Sequence, residues 1–241
     1  MLNIAKRRLI ESLASAVRAA APPGTPPVRL LNLGAGMSTV VEDELLARGA
    51  DNFICDRVDI SDCAVVHPNA GQAWHRSIEE MPEVPSASYP IAFSTYVLEH
   101  VKDLEKAAIE IQRVLAPGGI LIATVPNPAA PEFVVAKRTG TAFHRLAKSW
   151  FAGSKQVWET HYGYKSIRAL LRTFERRGLS VVSIAHSSSI QAYLRRFGPL
   201  RLLALAYDSV INALGLRFLQ GNVCCVLRNG PHTASADPAA T

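Results

Sequence analysis

The segment Leu30-Leu31-Asn32-Leu33-Gly34-Ala35-Gly36 joins an apolar run to two glycines one residue apart. Glycine lets a backbone turn sharply and lets a ligand approach it closely, because no side chain intervenes. A nucleotide cofactor needs both. An ordinary strand-to-helix turn has the same look, so a single Gly-x-Gly carries little weight alone. Dinucleotide binders carry a third glycine three residues further on, and here that position is Thr39. With no Tyr-x-x-x-Lys pair either, a nicotinamide dehydrogenase is disfavoured. The four cysteines, Cys55, Cys63, Cys224 and Cys225, have no zinc spacing, and no metal site is expected. Adjacent Cys224 and Cys225 on a strand would face opposite sides, so reduced thiols in a cytoplasmic protein are the plain expectation.

These residues must be held by alternating strands and helices. Met1 to Ala21 has apolar stretches broken by Lys6, Arg7, Arg8, Glu11 and Arg18. It reads as an amphipathic helix rather than a signal peptide. Ala21-Pro22-Pro23-Gly24-Thr25-Pro26-Pro27 is a stiff break. Strands are expected at 28–33, 52–60, 74–78, 89–95 and 120–125, with helices at about 39–48 and 103–115 between them. Pro117-Gly118-Gly119 reads as a turn. A helix at 165–177 and strands at 179–185 and 222–228 follow. Short apolar runs alternating with helices predict a parallel sheet with right-handed crossovers. The expected fold is therefore α/β: a Rossmann-like, seven-stranded, mostly parallel sheet with helices on both faces. Residues 1–27 would form the N-terminal helix and linker, 28–229 the main domain, and 230–241 a disordered tail.

Four segments taken together resemble class I S-adenosylmethionine-dependent methyltransferases, in particular the ubiquinone/menaquinone-biosynthesis-like (methyltransferase type 11) branch. Leu31 to Gly36 resembles the first motif, apolar-Asp-apolar-Gly-x-Gly, with Asn32 in place of the usual acid. Tyr96-Val97-Leu98-Glu99-His100-Val101 is similar to the segment after the fourth strand. Arg113-Val114-Leu115-Ala116-Pro117-Gly118-Gly119 is similar to the run before the fifth, and His161-Tyr162-Gly163-Tyr164 with Arg177-Gly178-Leu179 to the C-terminal portion.

The resemblance implies the cofactor S-adenosylmethionine and a set of residues to hold it. Gly34, Ala35 and Gly36 would lie beneath its methionine and ribose parts, next to Asn32. An acid at the end of the second strand would accept from both ribose hydroxyls, since a carboxylate is acceptor-only. Asp59 matches that position best, and Asp56, three residues earlier, stays open. Ser77 stands where the family usually has an Asp that meets the adenine amino group, and Ile78 would supply an amide and an apolar face. The backbone near Ser94, Thr95 and Tyr96 would meet the methionine end. For a hydroxyl acceptor the resemblance implies removal of a proton, and His161 and His100 are the candidate bases.

The acceptor expected is a small or lipid-linked molecule. Net charge is +6 with a pI near 9.3, which nucleic acid, an anionic membrane or an anionic substrate would each explain. Lys and Arg are spread along the chain without an RNA-binding module, which disfavours an RNA methyltransferase. A catalytically silent scaffold of the same fold is the remaining alternative, supported only by Asn32 and Ser77. The apolar insertion at 190–219, punctuated by Arg195, Arg196, Arg201 and Arg217, must pack on the sheet, a second subunit (a homodimer) or a membrane surface. The basic stretch from Lys137 to Lys155 is a further candidate cap. The location implied is cytoplasmic, with a peripheral membrane contact if the insertion meets lipid.

Overall fold

The structure is a computed structural model that describes residues 2–131, 163–192 and 198–230. Seven strands form one sheet: β1 (Val28–Leu33), β2 (Phe53–Asp59), β3 (Ala70–His75), β4 (Tyr89–Thr95), β5 (Leu115–Pro126), β6 (Leu179–Ser187) and β7 (Asn222–Asn229). Their order is β3-β2-β1-β4-β5-β7-β6. The first five are mutually parallel, and β7 runs antiparallel to both its neighbours. The expected mostly parallel, seven-stranded α/β sheet is therefore what the chain forms.

Alternation along the strands feeds two cores. Leu31, Leu33, Ala92, Leu121 and Ala123 face a core closed by α3 (Leu104–Val114) and α4 (Ile167–Arg176). Leu30, Phe53, Ile91, Phe93 and Ile122 face the other side, closed by α1 (Ile4–Ala20) and α2 (Val40–Ala47). Helix α1 is amphipathic as its charge pattern requires, burying Leu9, Ile10, Leu13 and Val17 against the sheet. The proline-rich break thus turns the chain without detaching the helix. Cys224 and Cys225 point into opposite cores, and all four thiols are free and buried.

Two boundaries differ from the sequence pattern. The third strand comes earlier, at Ala70–His75, because it is an exposed edge strand whose side chains carry almost no burial signal. Pro117-Gly118-Gly119 lies within β5 rather than before it, in an irregular stretch where Tyr89 pairs with Leu115 but Ile91 with Ile120. Gly118, at φ +76°, absorbs the extra residues there.

A fifth helix, α5 (Gly198–Leu214), fills the insertion between β6 and β7. Because β6 runs parallel to β5, the insertion stands at the carboxyl edge of the sheet, the edge where ligands bind in open α/β folds.

Candidate functional site

The glycine turn leaves β1 with both glycines in the left-handed region, Gly34 at φ +73° and Gly36 at φ +52°. A Cβ on Gly34 would lie 2.3 Å from a Val97 methyl, so the turn packs directly on the segment after β4. A Cβ on Gly36 would meet nothing within 4 Å among the described residues, so they leave that side of the turn open. The Gly34 and Ala35 amides donate to the Val58 carbonyl at 2.8 and 3.2 Å, and the Gly36 amide donates to Asp59 Oδ2 at 2.8 Å. Asp59 Oδ1 accepts from the Ser61 amide and hydroxyl at 2.8 and 2.6 Å. A carboxylate has about four lone-pair sites, so Asp59 keeps capacity for a further donor.

Asp56 has a different environment. It lies buried within β2, where Arg29 pairs with it, Tyr89 Oη donates at 2.8 Å and the Gln72 amide at 2.7 Å. Of the two acids, only Asp59 reaches the carboxyl end of the strand, beside Gly36.

Beneath the turn is a buried ion pair that the sequence pattern did not single out. Arg57, fully buried on β2, pairs with Glu42 on α2. Its other nitrogens donate to the carbonyls of Ser38 (2.8 Å), Gly36 (3.1 Å), Ala35 (3.3 Å) and Cys63 (3.0 Å). One planar fork therefore fixes four backbone oxygens around the turn. Asn32 donates to the same Glu42 oxygen at 3.2 Å. This accounts for the missing acid of the first motif: a carboxylate at 32 would stand against Glu42 in a buried setting. A charged residue of each sign in a strand or helix that should be apolar was the available signal.

On the far side of β1, Ser94 is fully buried at the end of β4, followed by Thr95 and by Tyr96, a non-glycine residue at φ +56°. Such a conformation costs on the order of 1–3 kcal/mol and tends to persist where function requires it. Tyr96 does not point its ring at the turn. Its hydroxyl donates to Asn222 Oδ1 at 2.7 Å and accepts from Asn3 Nδ2 at 2.9 Å, tying β7 and the cap of α1 to the end of β4. The Ser94, Thr95 and Thr124 hydroxyls and Glu99 Oε2 are buried with no hydrogen-bond partner among the described residues. Thr95 and Thr124 are neighbours across β4 and β5, while Ser94 lies on the other face of the sheet.

Glu99 is the third residue the sequence pattern passed over, after Arg57 and Glu42. Burial pushes its carboxyl up to about 8, so it is held largely neutral near neutral pH. His100 Nε2 lies 4.0 Å from Glu99 Oε1 and is partly exposed. Ser77 bridges to Glu80, and its hydroxyl accepts from the Glu79 amide at 3.2 Å. Ile78 is buried in the core with Leu33, Val58 and Met81. His161 and the stretch from Lys137 to Lys155 lie outside the described residues. Among the described residues no cluster suited to a metal ion occurs.

A family model for a methyltransferase domain matches residues 5–184, about three quarters of the chain. The chain belongs to that family: it is a class I S-adenosylmethionine-dependent methyltransferase, and S-adenosylmethionine is its cofactor. A search of curated proteins by sequence returns no match. Among solved structures, a Galdieria sulphuraria protein provisionally named a sarcosine dimethylglycine methyltransferase superposes with TM-score 0.59 at 16% identity, covering 93% of this chain and 85% of its own. The [4+2]-cyclase SpnF follows with TM-score 0.55 at 19% identity over 92% and 81%. Geranyl diphosphate C-methyltransferase from Streptomyces coelicolor A3(2) gives 0.51 at 13% identity over 92% and 81%. At such identities these likenesses establish the shared fold and nothing finer.

Proposed function

We propose that the chain methylates a small-molecule or lipid-linked acceptor of apolar character, with the cofactor held across the glycine turn. The observation that carries the site assignment is the open Gly36 bonded to Asp59 on one side of β1, with the buried, unpaired Ser94 hydroxyl at the end of neighbouring β4 on the other. The residues fit the group. Gly34, Ala35 and Gly36 would line the approach, Asp59 would accept from the ribose hydroxyls, and the backbone around Ser94, Thr95 and Tyr96 would hold the amino-acid end. Ser77 and Ile78 border the adenine, Ile78 by its amide, since its side chain belongs to the core. Asn32 acts from behind, through Glu42. Asp56 is assigned to the strand's internal bonding.

When bound, the cofactor supplies a methyl group on a sulfonium, open to in-line displacement by a nucleophile. The chain's task is then to hold the acceptor in line, exclude water and, for a hydroxyl acceptor, take up a proton. Half-open His100, beside a Glu99 that is already protonated near neutral pH, can take that proton, and His161 is the second candidate. An apolar acceptor is supported by the insertion at the same edge and by analogy with the geranyl diphosphate enzyme, whose named substrate is a prenyl chain on an anionic head. The reading carries a cytoplasmic location, in keeping with four free thiols, and disfavours nucleic acid as the acceptor.

Calorimetric titration with S-adenosylhomocysteine tests the assignment. Asp59→Ala should weaken binding by on the order of 1.5–3 kcal/mol for each charged hydrogen bond lost, with a lower melting temperature from the loss of its bonds to Gly36 and Ser61. Asp56→Ala should lower the melting temperature and leave affinity nearly intact. Gly36→Val should abolish binding. The reverse ranking of the two aspartates would move the ribose site back to mid-strand, and an absence of heat with the parent protein would restore the silent scaffold.

A further inference from the structure

Helix α5 is built inside out. Its polar side faces the protein. Asp208, buried, accepts from the Ser188 hydroxyl at 2.6 Å and from the Ile190 and Gln191 amides at 3.0 and 2.9 Å. Asn212 exchanges hydrogen bonds with the Ser188 backbone at 2.7 and 3.0 Å. Gln220 donates to the Ile211 carbonyl at 3.3 Å. Ala204 and Ile211 are the helix's buried apolar residues.

The apolar side faces water. Leu202, Leu203, Val210 and Leu214 are 69%, 68%, 53% and 65% exposed, and Phe218 just beyond is 64% exposed. Ala206, Ser209 and Ala213 complete the outward arc, which contains no charge at all. Surface helices normally show the opposite polarity. Cations stand at its two ends: Arg201 in the first turn, and Arg217 after the last. Arg8 of α1 joins the second end, since it donates to the His186 carbonyl and Arg217 lies close enough to His186 to affect its imidazole. Among the described residues no carboxylate pairs with these three arginines.

We propose that the outward face of α5 docks on an anionic lipid bilayer, placing the carboxyl edge of the sheet, where the acceptor enters, at the membrane surface. The proposal rests on the apolar or lipid-linked acceptor reading above and names the surface that delivers it. Charge decides for lipid: apolar side chains sink into the acyl boundary while arginines at both ends stay with phosphate headgroups. Area decides against a second copy of the chain. A helix of 17 residues is about 25 Å long and about 10 Å wide, a footprint of about 250 Å². A stable dimer buries about 800 Å² on each partner. A two-fold contact there would also offer no hydrogen bonds except through Ser209. No helix among the described residues is long and apolar enough to cross a membrane, so the contact is one of lying on the surface.

Flotation of the full chain with vesicles of phosphatidylcholine alone, or mixed with phosphatidylglycerol, tests this. Binding is expected to the mixed vesicles and to fall as salt rises. The double variant Leu203→Glu with Val210→Glu should lose binding at least tenfold while keeping the parent melting temperature and affinity for S-adenosylhomocysteine. Arg201→Gln and Arg217→Gln should each lower partitioning about fivefold, the equivalent of about 1 kcal/mol per cation at an anionic surface. Equal binding to neutral vesicles, no binding by a monomer, or a dimer abolished by the glutamates would each overturn the proposal. Intact cofactor binding with no vesicle binding would defeat the docking alone; absent cofactor binding would defeat the enzyme reading itself.

Discussion

The two ends of the sheet's carboxyl edge are held together by opposite means. Around β1 and β2 the backbone is clamped from inside: Arg57 and Glu42 are both buried, and one guanidinium grips the glycine turn through the Ala35, Gly36 and Ser38 carbonyls. Around β6 and β7 the attachment is a thin layer of polar contacts from Asp208 and Asn212, with the apolar side of α5 left outside. The first arrangement suits a site that must hold one fixed shape for a cofactor common to many enzymes. The second suits a surface that meets something the chain does not itself contain.

The contrast is sharpest if Arg57 is removed. Arg57→Leu leaves the Glu42 carboxylate buried and unpaired and frees four carbonyls, and should cost about 3–5 kcal/mol in denaturant unfolding. Adding Glu42→Leu should recover much of that stability, because a buried ion pair contributes little net once both charges are gone. Cofactor affinity should stay low in the double variant, since the turn has lost its grip. Full recovery of affinity would show that Gly34 and Gly36 hold the turn without help.

Glu99 gives the next largest effect, and it depends on pH. Its folded carboxyl stands near 8 against an ordinary value of 4.5, so the folded chain binds more protons than the unfolded chain between those values. Stability should therefore fall as pH rises from about 4.5 to about 8, by at most about 1.4 kcal/mol for each pH step of one, and level off above. Glu99→Gln should flatten that part of the profile in cofactor-free protein. Parallel wild-type and variant curves would mean that the carboxyl titrates normally.

The same contrast separates what is legible in the sequence from what is not. The parallel pairing of the early strands and the glycine turn follow from local pattern, apolar runs of strand length and a Gly-x-Gly, whereas Asp59 is singled out over Asp56 only by the family resemblance. The N-terminal helix declares itself by charge spacing, though not the face it covers. Arg57 and Glu42 leave only a faint trace there, a charge inside an otherwise apolar run, and they and Glu99 read as ordinary surface charges until the fold surrounds them. β3 lies earlier than the pattern places it because an edge strand with exposed side chains has no burial period to detect. The apolar run at 190–219 announces a helix and an unmet need for cover. It cannot announce which side faces out, because Asp208 and Asn212 look like solvent contacts until their partners on the Ser188 to Gln191 turn are in place.

That inversion makes the smallest effect the most telling. In an ordinary amphipathic helix, replacing outward residues is harmless because they are polar, and replacing buried ones is costly because they are apolar. In α5 the chemistry is exchanged. Leu203→Ser and Val210→Ser remove side chains that already sit in water, so each should change unfolding free energy by less than about 0.5 kcal/mol. Asp208→Ala leaves the Ile190 and Gln191 amides without their acceptor and should cost on the order of 1–3 kcal/mol. Denaturant unfolding of the three variants without lipid reads the order directly. If Leu203→Ser were the most damaging of the three, its side chain would be packed against protein in solution. The outward face of α5 would then belong to the core, and nothing would remain for a bilayer to bind.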